Sequence, residues 1–169
     1  ADGTPLVERS FTLPVDNDYV FSGHLDRVVE YSDSPYVMDQ KTTKTTISSN
    51  YFKGYNPDIQ MSMYTFAGRA IFHLPVKGVI IDAVQIAVGF TRFERGFTFR
   101  QEAQLDEWYD DMIRLIEVTR GYTLERYFPM RRSSCFNYGG CEFREICSKS
   151  PMVRRNFLLA EFEQQPTWD

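Results

Sequence analysis

The sequence predicts an α/β protein whose elements follow the order βββ–α–β–(β)–α. Three observations support this fold class. Near the start, alternating apolar and polar residues are interrupted by turn-forming residues, as in consecutive strands. Two later segments have apolar residues spaced three or four positions apart, as in amphipathic helices. Apolar runs typical of strands lie between these two segments. The 169 residues suit one domain, and 43% hydrophobic residues with 14 Phe and 10 Tyr indicate a folded core.

The first three strands are expected to form a meander. Turn-forming residues separate them at Asp16-Asn17-Asp18 and at Ser32-Asp33-Ser34-Pro35. The strands themselves are predicted at Leu6–Val15, Tyr19–Tyr31 and Tyr36–Lys41. In such a meander the second and third strands lie side by side.

A polar and aromatic loop follows, and then the first helix. Asn56 is a suitable cap and Pro57 a suitable first helical residue, and the helix is expected to end before Pro75. Its apolar stripe, predicted to be core, comprises Ile59, Met63, Phe66, Ala67, Ala70 and Ile71. The later elements are predicted as strands Lys77–Val88 and Gly89–Thr98 and an amphipathic helix, Gln101–Arg120, closed by Gly121.

The tripeptide Asp39-Gln40-Lys41 ends the third strand and carries the first chemical signal. Alternate strand residues share a face, so Asp39 and Lys41 are expected on one side with Gln40 turned away. Asp26 lies where the neighbouring strand can bring it close. Two carboxylates suit Mg²⁺ or Mn²⁺, and a lysine can position a water. Alone, the tripeptide is weak evidence, because such triplets arise by chance and usually lie on a solvated strand edge.

Two further motifs accompany it in order. Gly23-His24-Leu25-Asp26 precedes the tripeptide, and Gln60 and Tyr64 follow at i and i+4 of a helix. This set resembles the PD-(D/E)XK nuclease superfamily, and its RecB-like branch in particular, over residues 6–147. The resemblance implies a restriction-endonuclease-like fold: a mixed central sheet flanked by helices, with a C-terminal cysteine-bearing segment.

The resemblance also implies roles for these residues. Mg²⁺ or Mn²⁺ would be held by Asp26, Asp39 and the backbone carbonyl of Gln40. Glu8 matches the glutamate of the family's first strand and is either a further ligand or only a strand-edge charge. The catalytic set implied by the resemblance is Asp26, Asp39, Lys41, Gln60 and Tyr64.

Three cysteines form a second signal, at Cys135, Cys141 and Cys147, with five residues between neighbours. An odd number without a signal peptide argues against a disulfide framework. The segment is similar to the cysteine cluster of iron–sulfur members of the branch, namely AddB-type helicase–nucleases and CRISPR-associated nucleases. There a 4Fe-4S cluster takes a fourth cysteine from upstream of the core. None precedes Cys135 here and the spacing is wider, so the cluster would be incomplete in this chain; three reduced thiols are the alternative.

Charge is distributed unevenly along the chain, although the net charge is only −4. Acidic residues crowd the second helix, whereas residues 126–155 are basic. A local basic surface can follow phosphates despite an acidic total. The candidate DNA contacts, which are equally compatible with solvated surface charge, are Lys44, Lys53, Arg131 and Arg132.

The resemblance implies a metal-dependent deoxyribonuclease, with exonuclease action in DNA recombination or repair. The alternatives are a non-catalytic DNA-end binding module of a helicase–nuclease complex and a restriction-like endonuclease. Expected partners are DNA and helicase or recombination proteins, in a cytoplasmic protein of bacterial or phage origin with no membrane association. Residues 1–125 are expected to form the nuclease core, lacking its N-terminal helix, and residues 126–169 a basic, cysteine-containing segment of the same domain.

Overall fold

The computed structural model describes residues 6–166. The chain divides into two compact units, one ending at Val118 and the other starting at Thr119. The first unit contains a five-stranded sheet. Its strands are β1 (Val7–Pro14), β2 (Val20–Tyr31), β3 (Ser34–Thr43), β4 (Gly78–Ala87) and β5 (Phe90–Phe99).

The strands lie in the sheet in chain order. Only the β3–β4 pair is parallel, and the other three pairs are antiparallel. A parallel pair needs a crossover connection, which here contains two helices. The α-helices of the described residues are α1 (Ser49–Lys53), α2 (Ile59–Phe72), α3 (Glu102–Glu125), α4 (Arg144–Ser148) and α5 (Pro151–Glu161). The prediction of an α/β fold with a mixed sheet flanked by helices is confirmed.

The hairpin between β2 and β3 is tighter than predicted. Ser32 and Asp33 alone form the turn, both with positive φ (48° and 56°), and Tyr31 pairs directly with Ser34. Two positive φ values are typical of the two-residue turns whose twist matches that of the flanking strands. Ser34 and Pro35 therefore belong to β3, not to the turn.

The crossover differs from the prediction at two points. The expected loop contains a short helix, α1, whose cap is Ser48. The cap of α2 is Asp58, not Asn56, because the Asp58 carboxylate accepts the backbone N–H of Met61 at 3.0 Å. The Asn56 side-chain oxygen instead accepts a hydrogen bond from the guanidinium of Arg100, the residue directly after β5.

The main core lies between the sheet and α2. Met61 and Thr65 of α2 are fully buried, whereas Ile59, predicted to be core, is 57% exposed. The buried stripe is shifted because α2 begins at Ile59 and turns Met61 and Thr65, rather than Ile59, toward the sheet. The sheet residues of this core include Leu25, Val37, Val79, Ile81 and Ala83. Each fully buried large aliphatic side chain contributes about 1.5–3 kcal/mol.

The opposite face of the sheet carries a smaller cluster of aromatic side chains. Tyr36 is buried there beside Met38 and Ile80. The ring of Phe97 lies 5.3 Å from that of Tyr31 and 6.0 Å from that of Tyr36, centroid to centroid. This cluster anchors β5 to the centre of the sheet.

The second unit contains the end of α3, α4, α5 and two 3₁₀ turns, Arg132–Ser134 and Asn137–Gly139. The predicted helix end at Gly121 is wrong: α3 continues to Glu125, and Gly121 faces open space where nothing forces a break. Phe143 stacks on Phe162 with ring centroids 4.8 Å apart. Within residues 6–166, no helix is both long enough and apolar enough to cross a membrane.

Gly78→Ala tests how closely β4 and β5 approach. A Cβ at this position would overlap the backbone carbonyl of Thr98, which the strand pairing prevents from moving. We expect a loss of about 2 kcal/mol in the free energy of unfolding, measured by denaturant titration. Gly121→Ala, in open space within a helix, is the control and should stabilise by about 1 kcal/mol. Equal effects of the two substitutions would contradict the close approach.

Candidate active site

The site is built at the end of β3 that leaves the core. Val37, Asp39 and Lys41 alternate on the face covered by α2, as strand periodicity requires. Asp39 is only 3% exposed, whereas Gln40 between the two charged residues is exposed. The strand therefore carries a carboxylate into an apolar surrounding and needs a cation beside it.

Lys41 supplies that cation and connects Asp39 to α2. Its ammonium donates a hydrogen bond to Asp39 Oδ1 at 3.2 Å and lies 2.9 Å from Oδ2. It donates a second to Gln60 Oε1 at 2.8 Å, and Gln60 Nε2 donates to the Tyr64 hydroxyl at 3.1 Å. Asp39, Lys41, Gln60 and Tyr64 thus form one continuous chain of polar contacts from the sheet to the helix.

Asp26 joins the site from β2. Its Oδ2 accepts the backbone N–H of Gln40 at 2.8 Å, which fixes the carboxylate at the segment between Asp39 and Lys41. Strand β1, which pairs with β2, is distorted at Glu8. The φ of Glu8 is 46°, whereas its neighbours Val7 and Arg9 pair regularly with β2. Distorted strand positions of this kind redirect side chains and are common beside active sites. The Glu8 side chain is exposed.

The electrostatics of the site are set by burial. Loss of solvent raises the pKa of Asp39 above its ordinary value, while the hydrogen bond and charge of Lys41 oppose the rise and Asp26 adds to it. Loss of solvent also raises the pKa of Tyr64, and the Asp39 carboxylate raises it further. Tyr64 is therefore a neutral hydroxyl at physiological pH.

The donor atoms fit a hard divalent cation. Asp39 Oδ2 is buried and is ion-paired with the Lys41 ammonium at 2.9 Å, although it accepts no well-aligned hydrogen bond within the described chain. Asp26 contributes a second carboxylate from β2. The backbone carbonyl of Gln40 adds a third oxygen of the type that Mg²⁺ and Mn²⁺ accept, with waters completing the set. Across residues 6–166, no three His, Cys, Asp or Glu side chains converge closely enough to hold a metal. The role predicted for Glu8 therefore remains a prediction.

The remaining predicted site residues are not brought into this contact chain. Lys44 and Lys53 are exposed residues of the crossover between β3 and α2, and Arg131 and Arg132 are exposed residues of the second unit. The three thiols are reduced and partly or fully exposed, at Cys135, Cys141 and Cys147. Within residues 6–166 they do not belong to any group of three side chains that could hold a metal, and the iron–sulfur cluster stays a prediction.

Three contributors to the site were missed in the sequence. Asp58 caps α2, and its charge raises the pKa of Asp39. Tyr55 packs against the core beside Tyr51. Arg100 is buried and donates to the backbone carbonyls of Tyr55 and Asp58. Asp58 carries a sequence signal, as an aspartate directly before a helical run. Arg100 carries none, because a charged residue after a strand is usually on the surface.

A cavity of the first unit lies away from these residues. About 660 Å³ in volume, it opens between the start of α2 and α3 and is lined by apolar residues such as Ile59, Met112 and Leu115 together with Arg100. Neither Asp39 nor Lys41 lines it. The cavity lining is mainly apolar and lacks the contact chain of Asp39, Lys41, Gln60 and Tyr64, so the polar chain at β3 is the better candidate for chemistry.

A family model for the PD-(D/E)XK nuclease superfamily matches residues 3–148. The chain belongs to this superfamily. Asp26, Asp39 and Lys41, which the sequence analysis assigned to the PD-(D/E)XK pattern, lie within the matched residues and are brought together by the fold.

One solved structure, described as "Crystal structure of SSO0001", is similar over 66% of this chain at 18% identity, with a TM-score of 0.35. The match covers 50% of that protein, so this chain corresponds to about half of its length. Comparison with curated proteins gave no match.

Asp39→Asn should stabilise the protein at neutral pH when no metal is bound. Because burial raises the pKa of Asp39 in the folded state, the ionised carboxylate costs folding free energy at any pH above that pKa. As the pH falls through the folded pKa toward the unfolded value of 3.8, the wild-type carboxyl takes up its proton and the advantage of Asn disappears. Denaturant titrations with chelator, at several pH values, measure this difference.

Asp33→Asn is the control for that series, since it removes an exposed carboxylate in the β2–β3 turn and changes the net charge equally. An Asp39→Asn protein that is less stable than the wild type at about pH 7 would show that the ion pair with Lys41 outweighs the cost of burial.

Proposed function

We propose that this member of the PD-(D/E)XK superfamily is a metal-dependent deoxyribonuclease that hydrolyses phosphodiester bonds. The observation that carries the proposal is the buried carboxylate of Asp39, held against Lys41, which is itself held by Gln60. A protein that had lost its chemistry would gain nothing from a charge buried at this cost. A functional reason for keeping the charge is therefore required.

Asp26, Asp39 and the carbonyl of Gln40 would hold Mg²⁺ or Mn²⁺. When bound, such an ion polarises the phosphoryl oxygen and lowers the pKa of a coordinated water. The protein contributes the fixed geometry of these oxygens, because β2 and β3 pair directly and the Gln40 N–H holds Asp26 in place.

Lys41 orients the attacking water and stabilises the phosphate. Its ammonium has three donors, of which Asp39 and Gln60 occupy two. The third can donate to the attacking water or to a phosphate oxygen, where negative charge grows as the water adds to phosphorus and the ester oxygen leaves. Gln60 and Tyr64 hold the ammonium in line from α2.

DNA is the polymer we propose, with exonuclease action in recombination or repair and with helicase or recombination proteins as partners. The support is the resemblance of the ordered motifs to the RecB-like branch. Lys44 and Lys53 are exposed on the crossover that follows the catalytic strand, where phosphates could be contacted, and Arg131 and Arg132 add charge in the second unit. We further propose that residues 1–125 form the nuclease core and residues 126–169 a segment of the same domain. The support for one domain is that the family match continues past residue 125 to residue 148.

Substitution of the central ion pair tests the proposal. Asp39→Asn and Lys41→Ala should each lower cleavage of single- or double-stranded DNA at least about a thousandfold in excess Mg²⁺ or Mn²⁺, because each removes a group that acts on the reacting phosphate. Circular dichroism should show an unchanged fold.

Lys77→Ala is the matched control. Lys77 is an exposed lysine just before β4, at the other end of the sheet, so the variant should cleave DNA normally. Full activity of the Asp39→Asn protein would refute the assignment, and binding of DNA without cleavage by the wild type would favour a non-catalytic DNA-end binding module.

Tyr64→Phe tests the helix side of the site. The hydroxyl accepts from Gln60, so its loss should free the amide and lower kcat about tenfold. The free energy of unfolding should fall by only about 1 kcal/mol, the usual net contribution of one hydrogen bond. Tyr36→Phe makes the same chemical change on the opposite face of the sheet and should leave kcat unchanged. If Tyr64→Phe lost stability but kept its activity, Tyr64 would be an ordinary core aromatic residue.

A further inference from the structure

We propose that Arg100 is a positioning residue for the nuclease reaction: it fixes the start of α2 and thereby holds Gln60 against Lys41. The role in the reaction rests on the proposed function, whereas the mechanical link between Arg100 and Gln60 is a property of the fold. Arg100 follows the last residue of β5 and touches none of the proposed catalytic side chains.

The guanidinium of Arg100 is buried, with the residue 5% exposed, and every one of its nitrogens donates. Burial lowers its pKa from the ordinary value, and the charge of Asp58 opposes this shift. An arginine remains charged in such surroundings, so the group keeps all its donors. Its acceptors are the Ser62 hydroxyl at 2.9 Å, the Asn56 side-chain oxygen at 3.2 Å, the carbonyls of Tyr55, Asp58 and Phe99 at 3.1, 3.4 and 2.9 Å, and the Thr98 hydroxyl.

These acceptors fall into two groups. Phe99 and Thr98 belong to β5, so they fix the guanidinium to the sheet. Tyr55, Asp58 and Ser62 belong to the segment that enters α2 and to its first turn. Arg100 therefore ties the start of α2 to the sheet through one rigid, planar group.

Gln60 lies within the fixed segment. Asp58 precedes it and caps the helix by accepting from Met61, and Ser62 follows it and donates to the Asp58 carbonyl at 3.0 Å. Gln60 itself is exposed, so packing does not hold it in place. The position of its oxygen, 2.8 Å from the Lys41 ammonium, depends on the backbone that Arg100 anchors.

A lysine cannot replace this arrangement. It has three donors on a flexible stem, whereas the acceptors around Arg100 match a planar fork. With a lysine, some of the carbonyls of Tyr55, Asp58 and Phe99 would lose their donor and would bind water or shift. The resulting movement would displace Gln60, and a displacement of about 1 Å at a catalytic group can lower a rate on the order of a hundredfold. The carboxylates of Asp26 and Asp39 are on the sheet, so metal binding should not depend on Arg100.

Arg69 provides a matched control at the other end of α2. Its guanidinium is also partly buried, donates to the carbonyls of Val76 and Arg100 at 2.8 and 3.2 Å, and pairs with Glu102. Arg69→Lys should therefore lose about as much stability as Arg100→Lys without moving the first turn of α2.

The experiment compares Arg100→Lys, Arg69→Lys and wild type in the full chain. For Arg100→Lys we expect kcat to fall about ten- to hundredfold, with KM and the Mg²⁺ affinity measured by calorimetry changed less than about twofold. In a Gln60→Ala background the effect of Arg100→Lys on kcat should largely vanish, because the residue acts through Gln60. For Arg69→Lys, kcat should stay within about twofold of wild type.

The NMR signal of the Gln60 side-chain amide tests the link between Arg100 and Gln60 without measuring activity. This signal is assigned by its disappearance in Gln60→Ala. The signal should shift and lose protection from hydrogen exchange in Arg100→Lys and remain unchanged in Arg69→Lys. An unchanged signal with unchanged kcat in Arg100→Lys would overturn the proposal, and so would equal losses of kcat in both lysine variants. A wild type that cleaves no DNA would instead overturn the proposed function, while the amide signal still decides whether Arg100 holds Gln60.

Discussion

The site depends on one constraint, a carboxylate that β3 carries into the core. Asp39 is almost fully removed from water, and such a charge is tolerated only when a cation compensates it. Lys41, two residues along the same face, supplies the compensation, and Gln60 keeps the ammonium from turning back to solvent. Asp39 Oδ2 is held by that ion pair at 2.9 Å and accepts no well-aligned hydrogen bond from the described residues, so the carboxylate keeps acceptor capacity despite its burial.

The helix α2 serves the core and the site with different faces. Met61, Thr65 and Gly68 face the sheet, and Gly68 allows Val37 and Val76 to approach closely. Gln60 and Tyr64 lie beside that buried stripe and reach Lys41. A shift of α2 along the sheet would disturb both faces at once. Precision at the active site is thus provided by the same packing that stabilises the fold.

The crossover between β3 and α2 is also held at several points, although it looks like a loop in the sequence. Gln85, buried in β4, accepts from the backbone of Ile47, Phe52 fills the space above Gly96 of β5, and Arg100 holds Tyr55. Segments anchored in this way lose little further entropy when they meet a ligand. The exposed Lys44 and Lys53 are therefore presented from a fixed surface.

The sequence by itself determined the order of the five strands and of the two long helices, and the residues of the polar chain. Strand periodicity put Asp39 and Lys41 on one face, helical spacing put Gln60 beside Tyr64, and turn residues separated the strands, because these are local properties of the backbone. Helix ends were less predictable: Asn56 was expected to cap α2, but its side chain accepts from Arg100 and Asp58 caps the helix. Tertiary structure alone decided that Ile59 is exposed while Met61 is buried, that α3 passes through Gly121, and that Arg100 is buried. Each of these outcomes depends on partners far away in the chain, whose approach no local pattern records.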